Sequence, residues 1–255
     1  DRSSAARGEQ IANLKLTVHE ILSSSEVADL LTDAENASGE LDEWQIRNLQ
    51  LMKRRWLHTT AVPEDLLDAF TRSCTKTESV WRIARNESDF MLILPELEDL
   101  LGLVSEVAKA KSEALGIPPY QALLDSYEPD IKIEQLDALF DDYALFLPPF
   151  LEDVLKRQSG WPIPHLPQGP FLKPRQVVLC RRMAEAVGFD FSTGRLDATL
   201  HPFSGGIPED SRITTRYDEA DFTSAMMGVL HETGHAMYER GRPLKWRYQP
   251  VGETA

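Results

Sequence analysis

The sequence predicts a mainly α protein with one small antiparallel β-hairpin close to its last helix. Two observations carry this expectation. Through the first two-thirds, apolar residues recur at helical spacing, punctuated by proline, glycine and serine. Near residue 200 the texture changes to two short runs rich in β-branched and aromatic residues, with Gly205-Gly206 between them.

Taken in order, the stretch from Gly8 to Ser24 puts Leu14, Leu16, Val18, Ile21 and Leu22 near one helical face. Ser24 or Ser25 caps a second helix carrying Val27, Leu30 and Leu31. A third starts near Glu40 and carries Leu41, Trp44, Ile46, Leu49, Leu51, Met52 and Trp56. Pro63 begins a fourth, because proline in a first turn costs no hydrogen bond. From Glu78 to Leu115 the pattern stays helical, broken or bent around Pro95. Asp125 to Asp130 is a turn-rich joint, and the next helix carries Leu136, Leu139, Phe140, Tyr143 and Phe146 until Pro148-Pro149 interrupts it. Gly160 to Pro174 holds five prolines and reads as a connector, followed by a helix to Ala186. Leu196–Phe203 and Arg212–Tyr217 are the two strands of the hairpin. Asp218 or Asp221 caps the final helix, which Gly241 and Pro243 end after about Arg240. The expected division is 1–159 as an N-terminal helical region, 160–173 as a proline-rich connector, and 174–255 as the segment with hairpin and final helix.

At 255 residues, 42% hydrophobic and 27% charged, the chain has the composition of a soluble globular protein with a substantial core. No apolar run approaches the roughly 20 residues that span a bilayer, so no membrane partner is expected. A net charge of -14 argues against nucleic acid as a partner, since phosphate binding needs a clustered basic surface. Lys53, Arg54 and Arg55 form one short basic run, best read as a solvated helix face. Cys74 and Cys180 lack metal or redox spacing and are expected in or near the core. With no signal peptide in the sequence, the expected location is cytoplasmic. The start at Asp1 and the stop at Ala255, in an apparent loop, suggest cuts through a longer protein.

The chemistry concentrates in the final helix. His231-Glu232-Thr233-Gly234-His235 is an HExxH segment. Histidines four apart share a helix face, about 5–6 Å apart at Cβ, so both rings reach one ion at about 2.0–2.1 Å. Glu232, one residue on, points to the adjoining flank and suits a general base for a metal-activated water. Phe222, Met226, Val229 and Leu230 form the core stripe on the helix's other side. One divalent ion, zinc above all with cobalt as the alternative, is the implied cofactor. A site of this type wants a third donor. Glu239 lies one more turn along the same face, where a straight helix carries it away from the ion and suits it to a supporting role. His201 qualifies only if the hairpin folds over the helix; His19, His58 and His165 have no partner at ligand spacing. The third donor is therefore expected beyond Ala255.

With these residues in view, the sequence resembles the metallocarboxypeptidases similar to the thermostable carboxypeptidase Taq. Three motifs carry the resemblance, in order: His201-Pro202-Phe203; Asp210-Ser211-Arg212-Ile213-Thr214; and His231 to His235 followed by Ala236-Met237-Tyr238-Glu239. Weaker likeness extends back through Trp81-Arg82, Asp89-Phe90, Pro95 with Leu97, and Tyr120 to Pro129. The resemblance implies a helical bundle around a deep groove, a zinc or cobalt ion, removal of C-terminal residues from peptides, and a homodimer. It implies His231 and His235 as metal ligands and Glu232 as the base, with His201, Arg212 and Tyr217 near the substrate groove. It also implies a glutamate as third ligand in a motif following this helix, to which Gln249-Pro250-Val251-Gly252 is the approach. The 255 residues are accordingly expected to be an incomplete, inactive part of the enzyme. The alternatives are a helical oligopeptidase or dipeptidyl carboxypeptidase, and a non-catalytic helical module.

Overall fold

The computed structural model describes residues 4–162, 165, 167–199 and 201–253. They form two compact units divided between Glu152 and Asp153.

In the first unit, α1 (Ser4–Leu22) and α2 (Ser25–Asn36) are separated where the Ser24 side chain accepts the Val27 N–H and caps α2. α3 (Glu43–Thr60) opens on a capping box, Asp42 and Gln45 each accepting the other's backbone N–H at 2.8 Å. α4 (Glu64–Glu87) follows Pro63 and packs against both α1 and α5 (Phe90–Leu115). Gly8 permits the α1 contact, since a Cβ there would lie 3.1 Å from Thr75 Cγ2. α6 (Pro119–Leu124) lies against α5, and the buried apolar positions are mostly small: Ala12, Ala84, Ala108, Ala122, with Ile93 and Val107. Small residues let helix backbones approach closely.

Two proline expectations are corrected. The break between α4 and α5 is not at Pro95 but at Ser88, which takes a left-handed φ of 54° while Asp89 accepts the Met91 N–H. Capping chemistry places the boundary, and Pro95 sits inside the second turn of α5. Likewise α7 (Ile133–Gln158) is not interrupted at Pro148-Pro149, which lie inside it. Each proline removes one donor, leaving the carbonyls of Ala144 and Leu145 without their helical N–H partners. None of the residues of α7 is buried.

In the second unit, α8 (Lys173–Ala186) and α9 (Phe222–Gly241) pack together beside a three-stranded sheet of β1 (Gly194–Ala198), β2 (Ser204–Ile207) and β3 (Asp210–Thr215). The strand order is β1-β3-β2. Here the expected pairing is corrected too. The two apolar-rich runs do pair, through β1 and β3, but in parallel, with Leu196 opposite Ile213. The antiparallel hairpin is made by β3 with β2, the Gly205-Gly206 stretch that lies between the two runs. Beyond β1 the Thr199 N–H donates to the Thr215 carbonyl, and ahead of β2 the Phe203 carbonyl accepts the Thr214 N–H, both at 2.9 Å. A four-residue strand with two glycines carries no periodic signal, which is why it is invisible in the sequence. Gly206 has φ +95°, and a Cβ on it would lie 2.2 Å from the Asp210 carbonyl oxygen.

The core of this unit gathers Cys180, Ala184, Phe189, Ile213, Ala225, Val229 and Ala236, with Phe191, Leu196 and Tyr217 packed against it. Among the described residues, no helix is long and apolar enough to cross a membrane.

Candidate functional site

The helix α9 is anchored first. Asp221 rather than Asp218 is its cap, accepting the Thr223 N–H at 2.9 Å. Val229, Thr233 and Ala236 are buried against the unit's interior. Thr215 Oγ1 donates to the Ala225 carbonyl at 3.3 Å, pinning the helix to β3. This fixes the rotation of α9 about its axis and hence where its polar residues emerge.

His231 and His235 emerge on the exposed side, with Nε2 atoms 3.2 Å apart and rings nearly perpendicular at 87°. Two ligands of one tetrahedral ion at about 2.05 Å would be about 3.3 Å apart, so the pair fits a shared cation without rearrangement. Glu232 is only 7% exposed and lines a cavity of about 390 Å³ together with His235, Ala236 and Glu239 from α9. Ser204, Gly205, Gly206 and Ile207 of β2, with Ser211 of β3, make the other wall. An acid, an imidazole and a strand edge therefore face one space.

The further expected site residues fall elsewhere. Along β3, Ser211, Ile213 and Thr215 are buried towards α9, and the pleat turns Arg212 to the other face. There its guanidinium pairs with Asp210, at 3.0 and 2.6 Å, and it does not line the cavity. Asp210 in turn holds its carboxyl below the usual range because of that contact. Tyr217 is half-buried against the core, not in the cavity wall; burial, then the nearby Cys180, pushes its phenol up to about 12. His201 is exposed, and its carbonyl accepts the Thr199 hydroxyl at 2.6 Å. Among the described residues, no group of three or more histidine, cysteine or acidic side chains is placed to hold a metal ion. Of the remaining histidines, His19 bonds the Val62 carbonyl at 2.9 Å, His58 bonds Asp125, and His165 is exposed.

One supporting contact had no signal in the sequence. Glu209, in the β2–β3 turn, accepts from Arg247 and from the Tyr248 hydroxyl, both at 2.5 Å. Arg247 also donates to the Arg240 carbonyl at 2.8 Å, so the turn is tied to the end of α9. Tyr248, then Arg247, keep the Glu209 carboxyl below its ordinary pKa. Glu239 pairs with Arg242 at 2.7 Å, consistent with a supporting role.

Paired imidazoles and an acid on one helix, set beside a strand edge, define the class as that of the HExxH metallopeptidases. The comparisons narrow it: the chain belongs to the carboxypeptidase Taq (M32) metallopeptidase family, whose model matches residues 1–255. Carboxypeptidase 1 of Bacillus subtilis (strain 168) is 33% identical over 237 residues, covering 92% of this chain and 46% of that protein. Thermostable carboxypeptidase 1 of Thermus thermophilus is 33% identical over 261 residues, covering 97% and 50%. The solved structure of metallocarboxypeptidase 1 of Trypanosoma cruzi superposes with a TM-score of 0.87 at 38% identity, covering 99% of this chain and 51% of that one. The chain thus spans about half the length of the curated relatives it matches.

Proposed function

We propose that this chain supplies the metal-binding histidines and the proton-transfer group of a metallocarboxypeptidase, an enzyme that hydrolyses C-terminal peptide bonds. The observation that carries the reading is the 3.2 Å separation of the His231 and His235 Nε2 atoms beside a cavity lined by Glu232. His231 and His235 would hold one divalent ion, with zinc as the resident metal. When bound, such an ion supplies a Lewis acid for the scissile carbonyl and lowers the pKa of water towards about 7. The Glu232 carboxylate takes the proton of the attacking water and returns it to the leaving amide nitrogen.

The register of β2 suggests how substrate is held. Phe203 and Thr214 face each other as a hydrogen-bonded pair, so alternation turns the N–H and C=O of Ser204 and Gly206 outward from the sheet. An extended peptide laid along this edge would gain main-chain hydrogen bonds beside Glu232. In this reading β2 takes the groove role, while Arg212 and Tyr217 serve the frame. The third metal donor comes from outside the 255 residues, and the whole enzyme assembles as a homodimer, which light scattering reads directly.

The test is an amino-blocked peptide offered to this chain and to one extended past Ala255, with metal content measured alongside. Single residues released by the extended chain support the reading; dipeptides instead indicate a dipeptidyl carboxypeptidase. Full turnover by the 255-residue chain overturns the outside donor. No metal and no turnover in either chain leaves a non-catalytic helical module, the reading favoured by the lack of a third donor among the described residues.

A further inference from the structure

We propose that Ser126, in the first unit, is an activated nucleophile that accepts acyl groups from activated esters. Asp125 is the residue just after α6, and its side chain is 10% exposed. Its Oδ1 accepts Arg54 NH1 at 2.5 Å and the Asp130 N–H at 3.1 Å, and its Oδ2 lies 2.7 Å from His58 Nε2. Arg54 also pairs with Asp130. An ionised carboxylate only accepts, so His58 Nε2 carries the proton and Nδ1 presents a lone pair. That lone pair meets Ser126 Oγ at 3.3 Å, and Lys111 Nζ donates to the same Oγ at 2.8 Å. Acid, imidazole, hydroxyl and ammonium stand in line, with Ser126 exposed at the reactive position.

The charge states suit the order of the line. His58, Arg54 and the Asp130 N–H hold the Asp125 carboxyl down, against the opposing effect of burial. Burial foremost, with Lys111 and Arg54 adding and Asp125 opposing, keeps the His58 pKa below its ordinary value. A structural network would be complete with Arg54, Asp125, Asp130 and His58. It has no need of a hydroxyl on Nδ1, nor of a lysine on that hydroxyl.

The step balances. Ser126 Oγ bonds to the ester carbonyl carbon while its proton passes to His58 Nδ1, and the resulting imidazolium is held by Asp125. The bond to the leaving alcohol breaks, and that alcohol takes the proton from His58. Lys111, bonded to the Ser126 hydroxyl, brings a cation beside the carbon under attack, where the oxyanion develops. Water then cleaves the acyl group from Ser126, with His58 as base, and restores the hydroxyl.

The 255-residue chain is treated with a fluorophosphonate, which loses fluoride on reaction, and separately with 4-nitrophenyl acetate. Mass spectrometry of the peptide carrying Ser126 gives the rate. Modification about a hundredfold faster than in the urea-unfolded chain is expected, the usual return on a positioned base. The rate should rise with pH to a plateau as His58 deprotonates, and EDTA should leave it unchanged, since no metal takes part. His58→Gln and Lys111→Met should bring it towards that of an ordinary serine. A rate equal to that of the unfolded chain overturns the proposal. So does a pH profile simply proportional to hydroxide with no plateau, which is readable on the unsubstituted chain even if His58→Gln fails to fold. An unchanged rate in folded His58→Gln also overturns it.

Discussion

Glu232 and Asp125 are both buried acids, 7% exposed each, and their surroundings give them opposite uses. Glu232 opens onto a cavity that it shares with the His235 imidazole. In the completed enzyme Glu232→Gln should abolish turnover while zinc stays bound; surviving turnover removes Glu232 as base. Asp125 instead spends both its oxygens on Arg54, His58 and a backbone N–H. Asp125→Ala leaves the half-buried His58 ring without its acceptor and Arg54 with Asp130 alone, and should cost about 2 kcal/mol in urea denaturation. The same cluster sets a pH response. The folded His58 pKa is lowered, so its contribution is present above the unfolded imidazole value of about 6.5 and is lost as pH falls below it. The folded Asp125 pKa is also lowered, so its contribution is present above about 4 and is lost as pH falls further. Both signs agree: acid loosens this region. Hydrogen-exchange protection of the α3 and α6 amides, referred to the intrinsic rate at each pH, should fall below about pH 6.5 and again below about pH 4.

At the scale of elements, the hairpin β2–β3 is held by its turn and by one glycine. Gly206→Ala would press a Cβ to 2.2 Å from the Asp210 carbonyl oxygen at a φ of +95°. It should destabilise the second unit by about 3 kcal/mol. Gly205→Ala, whose Cβ meets the Phe203 ring at an ordinary 3.7 Å, is the tolerated control in the same thermal melts. The helices teach a related lesson about what ends them. Ser88 and Asp89 end α4 and start α5 because they can adopt and satisfy a cap, while Pro95, Pro148 and Pro149 merely drop donors within helices that continue. Proline marks a lost hydrogen bond, and only the surrounding cap chemistry decides whether the helix stops there.

At the scale of the whole molecule, each unit has its own packing, and the His231–His235 pair belongs to the second. The described residues present two imidazoles but no third donor. Zinc affinity of the 255-residue chain should therefore be well below that of the completed enzyme, measured by competition with a chromophoric chelator. Equal affinities would show that two histidines and this cavity suffice. His231→Ala should lose the remaining binding in either protein, since a single imidazole gives up the chelate.

Among particular residues, the sequence by itself determined most of the helices, the serine cap of α2 and the aspartate cap of α9 to within a choice of two residues each, and the shared face of His231 and His235. All of these follow from interactions within a few positions along the chain, where helical geometry leaves little choice. The tertiary structure alone decided that β1 joins β3 in parallel, that Ser204–Ile207 is a strand, and that Ser211 rather than Arg212 faces the cavity. It also decided that Asp125, His58 and Lys111 meet from three separate elements. Those outcomes depend on which surfaces pack together over long stretches of chain. A one-residue change of register reverses every side chain of a strand, and no local pattern in a run such as Ser204-Gly205-Gly206-Ile207 records the choice.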